Sequence, residues 1–191
     1  MSGSFNLSRV VCAIVALFSA VNAGAIPAVK MIVFYQAEDA ATLTAMAPML
    51  DKYAAQYSTE SAERVMMPDM YMPPECTGQI DPAWFKVQAV QDALEATSSD
   101  WVLYVDLQAL RANKKREDLE LGALIAANPE KAVFLRTPTD SGFGMAMFRK
   151  SAAIQGAIKG LTVNRCQTTF KAAFQAMLAQ SAQMAGIVKV L

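Results

Sequence analysis

Histidine is absent from all 191 residues, which removes the serine–histidine–aspartate and cysteine–histidine nucleophile arrangements and the usual imidazole zinc sites. Net charge is missing as well. The 17 basic and 17 acidic side chains balance, leaving no electrostatic footprint for nucleic acid or an anionic membrane surface. Cysteine is scarce, with three in the chain, so a small disulfide-dense scaffold is excluded. Internal repeats and low-complexity linkers are lacking, and no apolar run comfortably reaches the ~20 residues that a spanning helix needs.

What is present begins with a leader. Arg9 follows a polar start, Val10 to Val21 is almost wholly apolar, and small residues follow at Val21-Asn22-Ala23 and Ala23-Gly24-Ala25. This is the layout of a secretory signal peptide cleaved after Ala23 or Ala25. A retained signal anchor is the rival reading, but the apolar core is short for one, so no stable span is expected after cleavage. Residues 1–25 are thus read as signal peptide and residues 26–191 as a single domain, long enough for one real core. Losing Arg9 takes the basic count from 17 to 16 and the net charge to −1. Cys12 leaves with the leader, so Cys76 and Cys166 remain in a compartment that permits oxidation, secreted or in the ER or Golgi lumen. Their pairing as a disulfide is expected. Two separate buried thiols are the alternative, and the choice turns on whether the Cα atoms lie within ~7 Å.

Apolar runs and helical spacings alternate along residues 26–191. Lys30 to Tyr35 reads as a buried strand, and residues 40–57, with Leu43, Met46, Leu50 and Ala54 spaced by three and four, as an amphipathic helix that contains Pro48. Val65-Met66-Met67 is a short second strand, followed by a loop rich in proline as far as Gly78. Asp81-Pro82 opens a helix, with Asp81 as N-cap and Pro82 at the first helical position. A strand from Trp101, a helix ending at Asn128-Pro129, strands at Ala132 to Leu135 and Met145 to Phe148, and a mostly helical C-terminal part complete the pattern. Alternating strands and helices of this kind predict one α/β domain with helices on both faces of the sheet.

The Trp101-Val102-Leu103-Tyr104-Val105 run ends in Asp106 and Gln108. A strand buried on both faces reads this way, and its carboxyl end is where open α/β sheets bind ligands. This stretch resembles the strand and metal-binding turn of GT-A nucleotide-sugar glycosyltransferases. Three further pieces follow the order of the galactosyl- and xylosyltransferase-like branch of that family. Lys52 to Tyr57 is similar to its Tyr-Ala helix motif, Pro82-Ala83-Trp84-Phe85-Lys86 to its Pro-x-Trp-x-Lys helix start, and Gly144 to Ser151 to its Gly-Ser-Phe-Leu-Ile-Arg-Asn-Ser stretch. The resemblance implies a three-layer α/β/α sandwich of the Rossmann-like GT-A type. It also implies transfer of a hexose or pentose from a nucleoside diphosphate sugar to a glycan or protein hydroxyl.

On that resemblance Tyr35, Lys86, Asp106 and Gln108 border the donor nucleotide, while Gly142, Gly144 and Arg149 border the acceptor. Asp106 takes the first acidic position of a degenerate D-x-D turn, where Mn²⁺ or Mg²⁺ would bind. Gln108 stands at the second position with a neutral carbonyl, a poorer donor than carboxylate for a hard cation. Each residue also has a plainer role open to it: Asp106 as a cap, Lys86 as a solvated lysine, Arg149 as a surface ion-pair partner. The competing function is a secreted, non-catalytic domain of the same fold that binds a glycan, a nucleotide or a protein. A third reading takes Met66, Met67, Met70 and Met72 near Cys76 as soft ligands for Cu(I).

Overall fold

A computed structural model describes residues 27–36, 40–58, 62–67, 73–78, 80–107, 121–136, 144–163, 165–180 and 186–190. The leader, Gln108, Gly142, Met70, Met72 and residues 114–116 lie outside these segments. In chain order the elements are β1 (Val29–Gln36), α1 (Ala40–Tyr57), β2 (Glu63–Met67), α2 (Ala83–Ala96), β3 (Trp101–Asp106), α3 (Leu121–Ala127), β4 (Val133–Arg136), β5 (Met145–Arg149), α4 (Ala152–Thr162), α5 (Phe170–Gln180) and β6 (Val188–Val190).

The six strands form one sheet in the order β2-β1-β3-β5-β4-β6. β1 is parallel to β2 and β3, whereas β5 runs antiparallel to both of its neighbours, and β6 is parallel to β4. Every strand except β5 therefore points the same way. Their carboxyl ends share one edge of the sheet with the start of β5.

Period-two alternation along the strands divides the core into two layers. Val29, Met31, Val33, Trp101, Leu103, Val105, Phe134 and Met147 face Leu43 and Leu50 of α1, with Leu124 and Ile125 of α3 packed against them. Ile32, Phe34, Val102, Tyr104, Val133, Leu135, Ala146 and Phe148 face the other way, against Trp84, Val87 and Val90 of α2, Ile154 and Ile158 of α4, and Phe170 of α5. The result is the expected three-layer α/β/α sandwich. β3 is buried along its whole length, because α/β layers cover both faces of a central strand.

Local chemistry sets the helix boundaries. Asp81 Oδ1 accepts the N–H of Ala83 at 2.9 Å, so Asp81 caps α2 with Pro82 next to it. Ser151 caps α4 by accepting from Ile154 N at 3.3 Å. Pro48 lies within α1 without ending it. Asn128 closes α3, its side-chain amide donating to Leu124 O at 2.8 Å. β6 is an element that the sequence pattern did not disclose. Three residues carry too little periodicity, and what holds them is pairing to β4 over Val133, Phe134 and Leu135.

Candidate functional site

β1 and β3 run in parallel with Phe34 opposite Asp106, so an aromatic ring and a carboxylate sit side by side at the carboxyl edge. Both share the face that carries Ile32, Val102 and Tyr104, which is the face that α2 covers. The first turns of α2 deliver Lys86 to the pair. Its ammonium donates to Asp106 Oδ2 at 2.6 Å and lies 5.6 Å from the centroid of the Phe34 ring. Side-chain exposures of 14% for Lys86 and 11% for Asp106 keep the ion pair largely out of bulk water.

Tyr104 lies two residues before Asp106 on the same face, and its hydroxyl points to Asp106 Oδ2 at 3.5 Å. Burial, chiefly, and then the neighbouring Asp106 charge push its phenol well above the ordinary tyrosine range. On the opposite side, the backbone N–H of Asp106 donates to Gly144 O at 2.8 Å. Asp106 is thus held by its backbone to β5 and by its carboxylate to α2. Tyr104 was not singled out from sequence, though its two-residue spacing from Asp106 puts both on one face.

α2 is itself anchored. Trp84 is fully buried, donates from its indole to Thr168 O at 2.9 Å, and meets Phe170 edge-on at 5.5 Å between ring centroids. Asp81 uses its second oxygen, Oδ2, to accept from Phe170 N at 2.9 Å. The expected disulfide is also formed. Cys76 and Cys166 are bonded with Cα atoms 5.3 Å apart, tying the approach to α2 to the α4–α5 turn across 90 positions of sequence. Such a closure stabilises by about 4–5 kcal/mol in the chain-entropy account. Beside it Arg165 pairs with Glu75 and donates to Gln88 Oε1 at 3.2 Å. The carboxyl of Glu75 is held below its ordinary value, first by a backbone hydrogen bond and then by Arg165.

The residues expected at the site divide between two edges. Lys86 and Asp106 touch, Gly144 is hydrogen-bonded to Asp106 through its carbonyl, and Tyr35 stands near the carboxyl end of β1, half-buried. Arg149 lies apart from them. Because β5 is antiparallel, Arg149 pairs with Trp101 while Met145 pairs with Val105, so five residues of strand carry Arg149 to the opposite edge. There its guanidinium stacks 4.9 Å from the Trp101 ring and donates to Pro129 O at 3.3 Å. It does not border the Asp106 edge. Met66, one of the four methionines considered for copper, is an exposed residue of β2.

Among the described strand residues at this edge Asp106 is the one carboxylate, and Lys86 neutralises it. Cations of the Mg²⁺ type are commonly held by one or two carboxylates together with waters and substrate phosphates, and a carboxylate engaged by Lys86 is by itself a weak donor for one.

The fold has a solved counterpart. The chain is similar to the crystal structure of a glycosyltransferase involved in the glycosylation of the major capsid of PBCV-1, with a TM-score of 0.53 and 11% sequence identity over 85% of this chain and 82% of that one. This likeness shows a glycosyltransferase-like fold. No protein-family model matches the chain, and no curated protein matches it.

Proposed function

We propose that residues 26–191 form a secretory-pathway glycosyltransferase-like domain of the galactosyl- and xylosyltransferase-like GT-A branch, which binds a nucleoside diphosphate sugar at the carboxyl edge beside Asp106. The observation that carries this reading is the partly buried Lys86–Asp106 pair, set between Phe34 and Gly144 at the carboxyl ends of parallel strands in a glycosyltransferase-like fold. Ligands of open α/β sheets bind at that edge. The Cys76–Cys166 bond and the leader support passage through an oxidising compartment.

In the reaction an acceptor hydroxyl oxygen bonds to the anomeric carbon, the bond from that carbon to the diphosphate oxygen breaks, and the leaving diphosphate gains negative charge. Lys86 supplies a fixed cation where that charge develops, and a preorganised charge in a partly dry site is effective there. Asp106 orients the ammonium. Gln108, with its neutral carbonyl, adds little hold on a hard cation, so donor binding depends little on Mn²⁺.

Isothermal calorimetry with uridine and guanosine diphosphates, with and without Mn²⁺, tests the reading. The native protein is expected to bind one of them with little metal dependence, Lys86→Ala and Asp106→Ala to weaken binding, and Gln108→Asp to introduce metal dependence. Absence of binding by all four proteins would sink the transferase reading. A non-catalytic domain that binds a glycan or a protein would take its place.

A further inference from the structure

The disulfide has a neighbour that makes it more than a clasp. Glu75, Cys76 and Cys166 each bring one ligand atom to a common point, with these atoms all within 4.8 Å of one another. Glu75 and Cys166 are exposed, whereas Cys76 is buried. We propose that in its reduced form this cluster binds one thiophilic divalent cation of the Zn²⁺ class, held by two thiolates, the Glu75 carboxylate and a water. Such an ion takes sulfur at about 2.3 Å and carboxylate oxygen at about 2.0–2.2 Å.

Bonds other than the sulfur–sulfur bond also join the two halves. Trp84 Nε1 to Thr168 O and Phe170 N to Asp81 Oδ2, each 2.9 Å, join the same two segments, as does Arg165 to Gln88. Charge also balances. Two thiolates and a carboxylate carry three negative charges, which the cation and the adjacent Arg165 neutralise. The switch needs a dithiol reductant: its two electrons break the Cys76–Cys166 bond, it becomes a disulfide, and its two protons pass to the cysteine sulfurs. The arriving metal then displaces those protons to solvent. A bound ion closes the same loop of chain that the disulfide closed.

The test uses Co²⁺ alone as probe on the whole protein, reduced by a phosphine and kept free of oxygen. Expected are one Co²⁺ per chain with thiolate-to-cobalt charge transfer in the near ultraviolet, none in the oxidised protein, and at least tenfold weaker binding in Glu75→Gln, which still forms the disulfide. Circular dichroism of the reduced, metal-free protein is expected to keep its native form. Three results would overturn the proposal: no charge-transfer band in the reduced protein, Co²⁺ binding unchanged in Glu75→Gln, or loss of fold on reduction.

Discussion

Asp81 caps its own helix and also reaches Phe170, eighty-nine positions later, whose N–H opens α5. One carboxylate thereby satisfies donors at two helix starts, groups that would otherwise lack intrahelical partners. Each such bond contributes about 1 kcal/mol. Asp81→Ala is expected to lower stability by about 2 kcal/mol, and Asp81→Asn by less, since one oxygen acceptor survives. Urea denaturation checks this through a reduced midpoint at unchanged slope. A loss of only about 1 kcal/mol would show that the second bond contributes nothing.

The Lys86–Asp106 pair predicts an asymmetry in stability that is separate from any ligand. Removing one partner leaves a charge in a largely dry site, and such single losses cost about 3–5 kcal/mol, while replacing both partners by apolar groups is often near neutral. Asp106→Leu is therefore expected to cost about 3 kcal/mol and the Lys86→Met, Asp106→Leu double variant to recover most of it. A double-mutant cycle in urea measures the difference. Additive losses would mean that water still screens both groups.

Much of this frame was legible beforehand. The Trp101 to Val105 run announced a central strand because burial on both faces demands uninterrupted apolar residues, and Asp106 at its end announced the edge. Asp81-Pro82 marked a helix start by cap chemistry alone. What stayed hidden was non-local. Whether Gly144 and Arg149 lie at one edge or at two depends on strand direction, and the four residues between them fit either; only pairing to β3 and β4 decides it. Likewise the Lys86 partner, twenty positions away, and the Glu75–Arg165 pair, ninety positions apart, follow from how α2 and the α4–α5 turn pack, which no local pattern encodes.

Tyr104 predicts the alkaline limit. Its phenol is raised above its unfolded value, so the native state keeps a proton that the unfolded chain releases above about pH 10. Stability from this group is full below the unfolded pKa and falls as pH rises toward the folded one, since there the native state binds more protons. Ultraviolet titration is expected to show Tyr104 ionising only as the protein unfolds. In Tyr104→Phe the decline of stability above about pH 10 should be shallower. An equal slope in both proteins would assign the decline to other groups.

Between α2, α4, α5 and the sheet lies a small, partly open cleft lined by apolar side chains including Val90, Phe148, Ile158, Phe174 and Met177. Ala157 is its smallest lining residue, half-buried on α4. Ala157→Leu adds three carbons, each about 0.8 kcal/mol if wholly buried, against about 0.5–1 kcal/mol of side-chain entropy. Incomplete burial brings the expected gain to about 1 kcal/mol, or roughly 2–4 °C in melting temperature for a domain of this size. Leucine is also a good helix former, so the backbone of α4 does not oppose the change. Calorimetric melting measures the shift. A fall of 2 °C or more would show that α2 and α5 cannot admit the side chain, because overpacking strains a close-packed layer.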